Sequence, residues 1–108
     1  MRDKLTGMLI EALGVLRSLD PDMPISQALS LLLIAKYEGL SLKELANHAG
    51  VGMASASRYV SAFSPPKKAG AKGLGLVSAE EDPEERRKKI ITLTPKGRSF
   101  MNRLTEKL

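Results

Sequence analysis

Cysteine is absent from all 108 residues, which excludes a disulfide framework, a thiol redox switch and a cysteine-based zinc site. Tryptophan is absent as well, and two tyrosines and two phenylalanines make up the whole aromatic complement. A roomy aromatic pocket therefore has little to be built from. Histidine occurs once, at His48, with no second ligand at metal spacing. It reads as a capping or surface group near a helix end, not as a catalytic base. The many serines lack a histidine–acid partner in sequence, and no P-loop or G-x-G-x-x-G is present. The acids over 80–85 lie beside a run of cations, where carboxylates stay solvated and do not converge on a metal. No catalytic residue, metal or cofactor is assigned, and the chain reads as a non-enzyme.

Long hydrophobic runs are missing too. The most apolar stretch, 28–35, is too short to span a bilayer. Asp3 and Glu11 interrupt the N-terminal apolar residues in an amphipathic pattern, unlike a signal peptide. A cytoplasmic location without a membrane partner is the simple expectation. Acidic residues are absent from 45 to 79, and the net charge is +5. That balance favours a polyanionic partner, although charge alone also suits a membrane surface. With 43% hydrophobic and 27% charged residues, the composition is that of a globular chain, and its length suits one domain over 1–108.

What the chain does have is concentrated in residues 40–63, LSLKELANHAGVGMASASRYVSAF. Ser41 and Glu44 have the S-x-x-E spacing of a capping box, each side chain satisfying the other residue's amide. Leu42, Leu45 and Ala46 give an apolar face to a helix that stops near Gly50. Gly50-Val51-Gly52 permits a tight turn, because glycine takes positive φ without steric cost and Val51 can plug the space between helices. A second helix is predicted over 53–63. At about 100° per residue, Ala56, Tyr59, Val60 and Phe63 gather inward. Ala54, Arg58 and Ser61 then face outward, with Ser55 and Ser57 on the flanks. This is a helix-turn-helix over 41–63, a unit that places its second helix in the major groove of DNA. Small side chains allow close approach, serine hydroxyls can bond phosphates or base edges, and Arg58 can contact guanine bidentately. The bland alternative is a solvated face that happens to carry serine and arginine.

Residues 73–97, GLGLVSAEEDPEERRKKIITLTPKG, supply a second feature. Leu74, Leu76 and Val77 begin one strand, while Ile90, Ile91 and Leu93 belong to another, across a polar tip over 80–87 that contains Pro83. That is a β-hairpin, a wing over 74–94 placed just after the reader. Arg86, Arg87, Lys88 and Lys89 are consecutive cations where the hairpin returns. Arg86, Arg87 and Lys88 are candidate DNA contacts; alternatively, the basic end only protects a strand edge. The predicted fold is mainly α (α+β): a winged helix-turn-helix with a two-stranded β wing and flanking N- and C-terminal helices.

Over 25–103 these residues resemble the MarR family of bacterial winged-helix regulators. The likeness rests on L-S-L-K-E-L-A-N-H-A-G-V in the first motif helix and S-A-S-R-Y-V in the reader. It rests further on G-L-V at 75–77 and D-P-E-E-R-R-K-K-I-I-T-L-T-P-K-G at 82–97. The family's wing carries D-x-R, an aliphatic, x, Leu-Thr and a later glycine. The matching positions are Glu85, Arg87, Ile91, Leu93, Thr94 and Gly97, with glutamate replacing aspartate. The resemblance implies minor-groove or phosphate contact for Arg87 and places Arg58 in the family's S-R pair. Gly52 stands where a serine N-cap is usual, a change worth only a few tenths of a kcal/mol. The implied function is sequence-specific binding of double-stranded DNA as a transcriptional regulator, with a promoter-occluding repressor as the preferred form. It also implies a small-molecule effector, often phenolic, for which the scarce aromatics lend no support.

Two departures from the family stand out. Residues 64–73, SPPKKAGAKG, replace a turn of a few residues. Pro65-Pro66 must end the reader, and Gly70 and Gly73 make the rest a pliable basic loop. Its lysines, Lys67, Lys68 and Lys72, are expected to add non-specific DNA affinity. Secondly, only 95–108 follow the wing, enough for about three helical turns. Thr94 suits the N-cap and Pro95 the first helical position. Phe100, Met101, Leu104 and Leu108 form an apolar stripe, as do Leu5, Met8, Leu9, Ala12, Leu13, Leu16 and Leu19 in an N-terminal helix over 1–20. A further helix is expected over 24–39, closed by Gly39. A homodimer through the N- and C-terminal helices would bury the stripes. The competing function is an accessory or protein-interaction module in a replication, recombination or plasmid-maintenance complex.

Overall fold

The computed structural model describes residues 1–66, 73–85, 87–106 and 108. Helix α1 (Arg2–Arg17) and helix α2 (Ile25–Lys36) lead into strand β1 (Leu40–Ser41), followed by α3 (Leu42–Ala49) and α4 (Met53–Phe63). The hairpin β2 (Val77–Glu81) and β3 (Lys89–Leu93) precedes α5 (Pro95–Thr105). Leu31 and Ile34 of α2, Leu45 of α3, Ala56 and Phe63 of α4, Val77 and Ile91 of the hairpin and Phe100 of α5 form one buried core.

Local chemistry explains the helix boundaries around the motif. Ser41 accepts from the Glu44 amide at 3.1 Å, and Glu44 Oε1 accepts from the Ser41 amide at 3.0 Å, so the capping box is complete. Gly50 ends α3 at φ +69, and the Val51 amide donates to the Ala46 carbonyl at 3.1 Å. A side chain at Gly50 would meet the left-handed penalty, which glycine avoids. Val51 is half-buried and packs on the core between α3 and α4. At the far end, Thr94 caps α5 by accepting from the Gly97 amide at 3.1 Å, with Pro95 in the first turn.

The capping box also makes stability depend on pH. Backbone and side-chain hydrogen bonds with Ser41 hold the Glu44 carboxyl below its usual range, with smaller help from Lys88 and His48 against some desolvation. A depressed carboxylate pKa favours the folded state above the unfolded pKa, and the benefit is lost as pH falls through the folded one. Stability of the parent should therefore drop in acid, and Glu44→Ala should lack that part of the drop. Ser41→Ala should cost about 1 kcal/mol at neutral pH. Urea melts at a series of pH values measure both; parallel acid losses in parent and Glu44→Ala would contradict the assignment.

The structure departs from the predicted boundaries at the end of α2 and the start of β2, and it adds strand β1. Helix α2 ends at Lys36, not near Gly39, because Tyr37 leaves helical geometry and the Gly39 amide donates to the Ile91 carbonyl at 3.0 Å. That bond draws the chain into the sheet, where Leu40 pairs with Ile91 and Ser41 with Ile90. The predicted two-stranded wing is present as β2 and β3, and β1 extends it into a three-stranded antiparallel sheet, β1-β3-β2. Strand β2 starts at Val77, not Leu74. The amides of Leu74, Gly75 and Leu76 are held by the carbonyls of Ala62, Ser64 and Phe63, so they are committed to the end of α4.

At the edge of this core, α1 packs mainly against α5. Only Ala12 and Leu16 of α1 are buried, while Leu5, Leu9, Ile10 and Leu13 remain 50–65% exposed. The apolar stripe of the N-terminal helix is therefore largely uncovered. Arg98 of α5 forms a two-pronged pair with Glu38 at 2.8 and 3.0 Å, fastening α5 to the turn that follows α2.

Candidate nucleic-acid interface

Helix α4 buries Ala56, Val60 and Phe63 and leaves Ala54, Ser57, Arg58 and Ser61 exposed, with Ser55 and Tyr59 half-buried at the edges. The split follows the helical period: residues three and four apart share a face. Arg58 Nη2 donates to Ser55 Oγ at 3.2 Å, which holds the guanidinium along the helix surface. Gly52 occupies the N-cap, so no side chain covers the first-turn amides, and that turn contains no acidic residue. Unpaired amides at a helix start favour an approaching anion.

Across from α4 stands the wing. Its loop is closed by the Asp82 amide donating to the Lys88 carbonyl at 2.8 Å and by the Glu84 amide donating to Asp82 Oδ1 at 2.9 Å. Between wing and helices lies a groove of about 960 Å³. Ser57 and Ser61 line one side, Arg87, Lys88 and Lys89 the other, and Leu42, Val60 and Ile91 contribute apolar walls. Lys43 enters from α3. Among the described residues the carboxylates in the lining are Glu44 and Glu85, and four cationic side chains outnumber them. Glu44 is already committed to the capping box, and Lys88 lies 3.9 Å from it, a distance at which an exposed pair contributes little.

Of the sequence-predicted contact residues, the structure thus brings Ser57 and Ser61 to the same groove as Arg87 and Lys88, and puts Ala54, Ser55 and Arg58 on the adjoining surface of α4. Lys67, Lys68, Lys72 and Arg86 lie outside the described residues. Sequence reasoning omitted Lys43 and Lys89 from the contact set. Lys43 had a readable signal, since it sits two residues after the capping serine on the solvent side of α3. Lys89 closes the cationic run but also opens β3, where strand alternation turns it outward.

His48 is accounted for elsewhere. Its ring stacks on Tyr37 with centroids 4.9 Å apart, and Lys36 Nζ lies 5.0 Å from the Tyr37 centroid. Among the described residues no cluster of three or more histidine or acidic side chains is arranged to hold a metal ion, and no described helix is long and apolar enough to cross a membrane.

The arrangement has close parallels among solved structures. MarR itself superposes with a TM-score of 0.64 over 95% of this chain and 74% of MarR, at 23% identity. The fold is that of MarR. The MarR-type winged helix is matched again in RV1404 of Mycobacterium tuberculosis, with a TM-score of 0.73 at 22% identity over 92% of this chain. CouR, a transcriptional repressor bound to a 23-mer DNA duplex, gives a TM-score of 0.68 at 24% identity over 98% of this chain and 67% of its own. The chain spans 62% of the length of RV1404. No protein-family model matches the chain, and no curated protein sequence does.

Proposed function

We propose that the chain is a sequence-specific, double-stranded DNA-binding transcriptional regulator, acting as a repressor. Helix α4 enters the major groove with Ala54, Ser55, Ser57, Arg58 and Ser61 at the base edges and adjoining phosphates. Arg87 and Lys88 of the wing hold the backbone and flanking minor groove, and the charges of Arg86, Lys67, Lys68 and Lys72 add to the affinity for DNA. The observation that carries this reading is the shared groove: a small, hydroxylated helix face and a row of wing cations open onto the same space. A duplex-bound repressor of the same fold, CouR, supports it. The protein works as a homodimer, in which the uncovered leucines of α1 meet a second copy.

Phosphate neutralisation gives the first test. With about five phosphates neutralised per protomer, log affinity should fall against log salt with a slope near −4 to −5. Arg58→Ala should weaken binding to the preferred duplex by about 10- to 100-fold, the scale of one bidentate guanine contact, and relax selection at a single base position. Fluorescence anisotropy on matched and scrambled duplexes reads both quantities. Equal losses on the two duplexes would remove Arg58 as a base reader, and a slope near zero would remove DNA as the partner in favour of a protein-interaction module.

A further inference from the structure

Ser64 takes up the Val60 and Ser61 carbonyls at the end of α4, but the last two, those of Ala62 and Phe63, are satisfied by a distant segment that α5 holds in turn. The Leu76 amide donates to the Phe63 carbonyl at 2.7 Å, the Leu74 amide to Ala62 at 3.2 Å and the Gly75 amide to Ser64 at 3.3 Å. From the other side, Thr94 Oγ1 donates to the Gly75 carbonyl at 2.6 Å, and the Thr94 amide donates to the Leu76 carbonyl at 2.9 Å. The Gly75 carbonyl and the Leu76 amide belong to one peptide unit, which is planar and stiff. That plane therefore joins Thr94 directly to the last residue of α4. Gly75 adopts φ +70 in order to present it. The joint has no slack elsewhere. A Cβ at Gly73 would overlap the Ser64 carbonyl oxygen, and one at Gly97 would overlap that of Leu76.

We propose that Thr94 is a positioning residue for α4: its hydroxyl, through the 75–76 peptide, fixes the angle at which the helix is presented. The specificity role rests on the DNA-reading function given above. Thr94 has two separable duties. Its oxygen accepts from the Gly97 amide as the cap of α5, and its hydroxyl proton goes to Gly75. Aspartate is an equally good N-cap acceptor but, once ionised, has no proton to donate. Serine keeps both duties.

Comparison of parent, Thr94→Ser and Thr94→Asp separates positioning from capping. In Thr94→Asp the preference for the selected duplex over a scrambled one should fall about tenfold, the scale of one hydrogen bond expressed as an affinity ratio. The ratio cancels the uniform effect of the added negative charge. Thr94→Ser should stay within about twofold of the parent, because donor and acceptor are both retained. Amide hydrogen exchange supplies an arm that needs no DNA: protection of Leu76 should fall about tenfold in Thr94→Asp, while amides in the middle of α2 and α4 keep theirs. Unchanged Leu76 protection in Thr94→Asp would overturn the coupling whatever the DNA arm gives, as would a duplex preference equal to the parent's. Lost protection in a protein that selects no duplex would uphold the coupling and overturn the DNA reading alone.

Discussion

Gly97→Ala is expected to unfold about 5–10 °C below the parent at equal protein concentration, despite the higher helix propensity of alanine. The added Cβ would overlap the Leu76 carbonyl oxygen and lie 3.0 Å from its carbon and 3.2 Å from Leu93 Cδ2. Two of these three atoms are backbone, so no rotamer change can relieve them. Overpacking of this kind costs roughly 2–3 kcal/mol, more than the approximately 1 kcal/mol gained in helix propensity. Gly97 is buried in the first turn of α5, and separating α5 from the 75–76 peptide would also strain the Thr94 bonds. Gly7→Ala is the matched control, since a Cβ at that α1 position meets nothing within 4 Å. It should leave stability unchanged or raise it by up to about 1 kcal/mol. A thermal melt of Gly97→Ala that overlays the parent would mean that α5 does not approach the segment this closely.

The double variant Leu9→Glu, Leu13→Glu should change the sedimenting species at micromolar concentration from a dimer to a single 11.7 kDa chain. These side chains are 58% and 60% exposed one helical turn apart on α1, with Leu5 and Ile10 beside them. Covering each leucine stabilises an interface by about 1.5–3 kcal/mol, so losing two weakens dimerisation by well over 100-fold before the burial of new charge is counted. The isolated fold should tolerate the change, because neither leucine belongs to the core. An unchanged sedimentation coefficient would place the dimer contact elsewhere, and a parent that is already monomeric would remove the dimer from the proposal.

The parts of this molecule that were legible in sequence are those governed by contacts three or four residues apart. Ser41 and Glu44 name the start of α3, Gly50 its end, and Thr94-Pro95 the start of α5, because each cap is satisfied within one turn. The inward face of α4 follows from spacing alone, and so does the exposure of Arg58. What stayed hidden depends on partners far along the chain. Strand β1 is two residues long, too short to show a period, and exists because Ile90 and Ile91 pair with it some fifty residues later. Leu74 and Leu76 carry the alternation of a strand, yet their amides are taken by the end of α4. The leucine pattern of α1 reveals an apolar face but not what covers it. For the candidate site, the chemistry of α4 and of the wing could be read separately. Their meeting across one groove with Lys43 is a property of the packed fold.

The measurement that bears most directly on a DNA-reading function is selection from a random duplex pool at about 150 mM salt, where backbone-only binding is suppressed. A dimer presenting two copies of α4 should enrich an inverted repeat with half-sites about one helical turn apart. Retention of duplex only at low salt, with no sequence enriched, would contradict it.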